Sequence, residues 1–245
     1  MRLRTVVPAT LLAAAALVGV VAPAASARSG STPGRPSTSA PAVDLTAARQ
    51  RCIADIDLRL AKLGALAAGL TSATAVTPGH RSAQQATLAA AASGLTQLEA
   101  KVRADADART LKTDCESVVA EYRVFALRAP QTSYVIVGDA QAAAVARVQA
   151  TVPGLADAIA KLAAAGKDIG AAQAALADLQ AKLADAAPKA KGLAESVIPF
   201  TASAYNANKA LLTPAHTTAL QVRAALAAAR ADVKTIGAAL KAAAS

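Results

Sequence analysis

Alanine is so frequent in this chain that a bare apolar pattern would read as helix everywhere, so the larger aliphatic side chains are the informative positions. Between residues 46 and 70, Ile53, Ile56, Leu60, Leu63 and Leu70 recur at three- and four-residue steps, with Ala67 filling the gap and only Leu58 and Leu66 off the line. That spacing draws one apolar stripe along an α-helix. Thr77-Pro78-Gly79 then reads as a turn. A second stripe, Leu88, Leu95, Leu98 and Val102, predicts a helix from Ser82 to about Asp105, with Gln85 at capping-box spacing from Ser82. A third helix is expected over residues 107–128, where Leu111, Cys115, Val118, Tyr122 and Phe125 fall in 4-3-4-3 steps and Val119, Val124 and Leu127 widen the apolar surface. Pro130 is expected to stop it.

Residues 133–150 carry Tyr134-Val135-Ile136-Val137, a strand by propensity, but no second strand exists to pair with it, so helix is predicted. After a break at residues 151–154, Leu155, Ile159 and Leu162 predict a short helix to Gly166, and Asp168 is placed to cap another holding Ile169, Leu176, Leu179 and Leu183. Pro188 marks a joint, 189–198 a short helix, and 199–213 an irregular connection. The last helix is expected to have Thr213 as its cap and Pro214 in its first turn, with Val222, Leu226, Val233, Ile236 and Leu240 as its stripe and Leu220 outside it. The fold class is all-α, an antiparallel helical bundle with heptad-like seams. Two helical subdomains are expected to meet near Thr151: residues 44–150, which hold both cysteines, and the alanine-rich residues 151–245.

Two segments stand apart from these helices. Arg2 and Arg4, the apolar run from Val6 to Val21 and Ala-Ser-Ala at 25–27 have the layout of a signal peptide spanning residues 1–27, cleaved after Ala27. The run is short for a membrane anchor. Residues 28–43 are rich in Ser, Thr, Pro and Gly and read as a flexible linker, with O-linked sugar the alternative use of such a tract. Beyond residue 27 no apolar stretch is long enough to span a bilayer, so a secreted or extracytoplasmic location is expected. Composition sharpens the picture of the core. Roughly three residues in ten are alanine, aromatics make up 2%, and there is no Trp. Alanine buries little surface per residue. Stability therefore has to come from close helix packing and the sparse Leu, Ile and Val.

Two cysteines in an exported chain point to a disulfide, here Cys52 to Cys115. His80 and His216 each follow Thr-Pro-x, in TPGH and TPAH, which is helix-start chemistry; with no third ligand in a recognisable spacing, no metal and no cofactor is expected. No G-x-S-x-G, Gly-rich phosphate loop or zinc motif is present, and the acidic residues are scattered singly, so no catalytic residue is named and an enzyme is not expected. Charge matters more. The chain has 26 basic and 16 acidic residues; without Arg2 and Arg4, 24 basic residues remain, a net +8. At 100° per residue, Arg223, Arg230, Lys234 and Lys241 lie within about 20° of one line on the last helix. Such a stripe attracts anionic cell-wall polymer or lipid headgroups; a solvated flank is the plain alternative. No aromatic interleaves it, so specific nucleic-acid recognition is not expected. Tyr122, Phe125 and Tyr134, three of the five aromatics, form the candidate apolar-ligand or core cluster.

The stretch Asp114, Cys115, Ser117, Val118, Val119, Glu121 to Phe125, Leu127, Pro130, Thr132 and Val135 to Val137 resembles a pattern in exported, alanine-rich helical proteins of actinobacteria. The resemblance spans about residues 88–148. It implies export and helices and brings no catalytic residues with it. The functional expectation is a secreted, non-enzymatic structural or interaction module at the cell envelope, whose partner is an anionic wall polymer or another envelope protein. Binding of anionic polymers or lipid through the last helix and carriage of a small apolar ligand between helices are the alternatives.

Overall fold

The computed structural model describes residues 44–244; the expected signal peptide and linker lie outside them. Among the described residues every regular element is helical and none is a strand, so the fold is all-α. Helix α1, Leu45–Ser72, starts where the Asp44 carboxylate accepts from the amides of Thr46 (3.0 Å) and Ala47 (3.1 Å). Helix α2, Pro78–Ala104, starts four residues earlier than the Ser82 spacing predicted. Thr77 Oγ1 accepts from His80 N at 3.3 Å and Pro78 occupies the first turn, while Gln85 donates to Thr71 Oγ1 instead of closing a capping box. Helix α3, Ala108–Ala120, is capped by Asp107, which accepts from Arg109 N and Thr110 N, each at 2.9 Å.

The single helix predicted over 107–128 is broken in the structure. α3 ends at Ala120, Arg123 takes left-handed dihedrals (φ 45°, ψ 40°), and Val124–Arg128 forms one π-helical turn leading into α4, Ala129–Gln149. Pro130 therefore opens a helix instead of stopping one, which suits a residue without an amide proton in a first turn. Tyr134 to Val137 are helical, as predicted. Helices α5, Val152–Ala164, and α6, Gly170–Val197, follow; Pro188 lies inside a continuous α6 and makes no joint. A six-residue α7, Ala202–Ala207, interrupts the expected connection, and α8 spans Thr213–Ala244. Thr213 is thus inside the first turn of α8, not ahead of it as a cap.

Hydrogen bonds between helix ends fix their directions. Arg49 near the start of α1 donates to Val102 O (3.2 Å) and Asp105 O (2.5 Å) at the end of α2, and Arg81 near the start of α2 donates to Thr71 O (2.8 Å) at the end of α1. α1 and α2 are antiparallel. Gln131 at the start of α4 donates to Val197 O (2.7 Å) at the end of α6, so that pair is antiparallel too. Packing is most extensive between α6 and its two neighbours, α8 and α4. At Gly138 a β-carbon would stand 3.0 Å from Ala194 N and 3.2 Å from Leu193 Cβ, so only glycine lets α4 lie this close to α6.

The interior divides into three groups. Ile56, Leu63, Leu88, Leu95, Val102 and Val118 gather α1, α2 and α3; Val145, Leu179, Leu183, Val222, Ala229 and Ile236 gather α4, α6 and α8. Leu70, Val76, Val135, Leu193, Val197 and Ala215 form the third, where the end of α1 meets α4, α6 and α8. Packing therefore runs across Thr151, because α4 on its near side is buried against α6 and α8 on its far side. The described residues all fall in one compact unit.

Candidate functional site

Cys52 on α1 and Cys115 on α3 form a disulfide with a Cα–Cα distance of 5.7 Å. Beside it an open groove of about 1040 Å³ runs between the two helices, lined by Ala48, Leu111 and Val119 and by the charged Arg51, Asp55 and Arg109. Asp55 is engaged by Arg59, whose guanidinium also lies 5.5 Å from the ring centre of Phe125.

The three aromatics of the expected ligand cluster do not converge. Tyr122 packs over Gly94 of α2, where an added β-carbon would meet its hydroxyl at 2.6 Å. Phe125 is 47% exposed beneath Arg59 of α1. Tyr134 stands on the α4–α8 side, with a 3.3 Å hydrogen bond joining its Oη to His216 Nδ1. The reason is the break at Arg123: one residue in left-handed conformation and one π turn rotate everything downstream off the α3 stripe, so the heptad spacing that joined them on paper is not physically continuous.

The basic stripe is on the surface. Arg223, Arg230, Lys234 and Lys241 are all exposed on α8. Asp232, the one acidic residue of α8, is turned to α6, where Lys182 Nζ donates to it at 2.8 Å and to Asp178 at 2.5 Å. These bonds, first that to Asp178 and then that to Asp232, hold the Lys182 ammonium above its ordinary pKa. Among the described residues Arg223, Arg230 and Lys234 make no ion pair, so these three positions on the outer line of α8 keep their charge.

Sequence reasoning missed a set of buried polar groups. Asp139 accepts from Thr77 N (2.8 Å) and from His80 Nδ1 (2.9 and 3.1 Å), tying the α1–α2 turn to α4. Gln84 Nε2 donates to Thr132 Oγ1 at 2.8 Å, both side chains being fully buried. Gln131 Nε2 donates to the carbonyls of Val197, Ile198 and Phe200 at 2.7, 3.0 and 3.2 Å, closing the C-terminal end of α6. The available signal was positional: Gln131, Val135, Gly138, Ala142 and Val145 make a 4-3-4-3 seam, and a glutamine on an apolar seam needs buried partners.

His80 and His216 each have their Nδ1 taken by a different residue, Asp139 and Tyr134. Among the described residues no group of three or more His, Cys, Asp or Glu is placed to hold a metal, and no helix is long and apolar enough to cross a membrane. No protein-family model matches the chain, and neither a curated protein nor a solved structure matches it.

Proposed function

We propose that this chain is an exported, non-enzymatic helical interaction module of the cell envelope, and that it meets an anionic envelope polymer along the outer line of α8. The observation that carries the reading is the fate of Asp232: it is drawn to Lys182 on α6, leaving Arg223, Arg230 and Lys234 exposed and without acidic partners beside Lys241. Arg223 and Lys241 are 18 residues apart, about 27 Å along a helix at 1.5 Å per residue, long enough to follow several charges of a linear polyanion. The exposed cations lose little desolvation energy on binding and gain from summed attraction, which makes the contact weak per charge and dependent on ionic strength. The disulfide across α1 and α3 and the layout of residues 1–27 support a place outside the cytoplasm.

The test is fractionation of the source culture into medium, wall and membrane, followed by a salt wash. Wild-type protein is expected in the wall fraction and released by salt, whereas a variant with Arg223, Arg230, Lys234 and Lys241 all changed to Glu is expected in the medium with its melting temperature nearly unchanged. Equal wall retention of the two proteins, or wild-type protein found free in the medium, would overturn the reading.

A further inference from the structure

Three elements converge where α3 ends. The chain leaves α3 through Arg123 in a left-handed conformation that is disfavoured for any residue with a β-carbon. It is held there from a distant element: Arg123 Nε donates to Asn206 Oδ1 at 2.5 Å, and Asn206 Nδ2 donates to Ala120 O at 2.7 Å. The five residues that follow form the π turn, Val124–Arg128. A strained residue and a π turn in succession are features that persist where something other than helix continuity is being served. Their outcome is that Tyr122 and Arg128 line a single cleft of about 400 Å³, together with Phe200 after α6 and Ala90 and Ala91 of α2.

The chemistry of this cleft is specific. Arg128 Nη1 donates to Gln131 Oε1 and to Phe200 O, each at 3.0 Å, which fixes the guanidinium; Nε is buried out of reach of the cleft, and Nη2 makes no hydrogen bond among the described residues. No Asp or Glu among the described residues lies within ion-pair distance of it. Burial pulls the Arg128 pKa below its ordinary value, the mark of a cation short of compensation. The Tyr122 hydroxyl makes no hydrogen bond among the described residues, and its pKa is raised by burial and then by the neighbouring Glu121. A neutral apolar occupant would bury the guanidinium further and give it no acceptor. A dianion such as a phosphate monoester would meet Glu121, which lines the same cleft. A monoanion with an apolar body gives the guanidinium an acceptor and carries half the charge of the dianion towards Glu121.

We infer that the cleft at the α3–α4 junction binds a small organic monocarboxylate, its carboxylate on Arg128 and its aromatic or short acyl body between Tyr122 and Phe200. The site is separate from α8 and does not rest on the reading of that helix. Its volume falls at the small end of ligand clefts, about 300–1,000 Å³, and suits a body of one ring.

The full mature chain would be titrated calorimetrically with phenylacetate, hexanoate and the neutral phenylacetamide, with melting followed in parallel. The carboxylates are expected to bind saturably and raise the melting temperature, and the amide to bind roughly tenfold more weakly or worse. Arg128→Gln should erase the difference. Because Arg128 also bonds Phe200 O, Gly94→Ala is the second probe: its new β-carbon would stand 2.6 Å from the Tyr122 hydroxyl, displacing the free end of that ring while leaving Arg128 in place. It should weaken carboxylate binding several-fold with an unchanged circular dichroism spectrum. No saturable carboxylate binding into the millimolar range, equal binding of the amide, or wild-type affinity in Gly94→Ala would each overturn the assignment.

Discussion

Removing the Cys52–Cys115 bond is the perturbation with the largest calculable effect. The two residues are separated by 63 positions, and in the chain-entropy treatment closing a loop of that length takes about 14 cal/mol/K from the unfolded ensemble, or about 4 kcal/mol at 25 °C. For about 200 folded residues, 1 kcal/mol moves the melting temperature by about 2–4 °C, so the full effect is on the order of 10 °C. The site favours that value being realised. Cys52 is 6% exposed and sits among Ile56, Leu111 and Val118, so on reduction its thiol behaves as a small hydrophobic group, while the half-buried Cys115 thiol borders the open groove. The assay is thermal melting by circular dichroism of oxidised protein, of reduced and alkylation-free protein held in reductant, and of a Cys52→Ala/Cys115→Ala variant. Reduced protein and the variant should melt together, well below the oxidised form. Oxidised and reduced proteins melting within about 2 °C of each other would refute the reasoning, because the loop constraint would then contribute nothing.

Gly138→Ala should destabilise by about 1–3 kcal/mol, since its β-carbon would stand 3.0 Å from the backbone nitrogen of Ala194, which cannot swing aside. Gly237→Ala on the exposed side of α8, with nothing within 4 Å, should instead stabilise by about 0.5–1 kcal/mol; urea melts of the two variants check both signs. Asp107 has its pKa lowered by the Thr110 amide first, then by the Thr110 hydroxyl, with a further bond from the Arg109 amide. A folded pKa below the unfolded one means this cap contributes fully above the ordinary carboxylate pKa and is lost as pH falls through the folded value. Asp107→Asn keeps a capping oxygen but does not titrate, so the melting temperature of wild type relative to the variant should fall as pH drops from about 5 towards 2; parallel curves would exclude the effect.

How far the chain could be read without coordinates depended on the range of the deciding interaction. The existence of the helices was legible because alanine favours helix everywhere and the sparse Leu, Ile and Val mark one face of each. The exposed line of α8 followed from angular arithmetic alone, and the cysteine pairing followed from there being two. The break at Arg123 was illegible because Glu121 to Leu127 carry no Gly, Pro or other local signal; Asn206, 83 positions away, holds the turn. The scatter of Tyr122, Phe125 and Tyr134 follows from that one event. Pro188 misled in the opposite direction. Proline in a helix interior removes one backbone hydrogen bond, yet α6 stays continuous because it is packed between α4 and α8, with Ala186 and Ala190 beside the proline each 1% exposed.

The amino-acid sequence by itself determined that this protein is all-α, which residues face inward on most of its helices, and where its positive charge can line up, because those properties depend on neighbours within two turns. Tertiary structure alone decided which helices share a core across Thr151, which aromatic side chains meet, and which buried polar groups find partners. The Gln131 amide nitrogen and the Asp139 carboxylate are satisfied by atoms more than fifty positions away, and no local pattern encodes a hydrogen bond of that span.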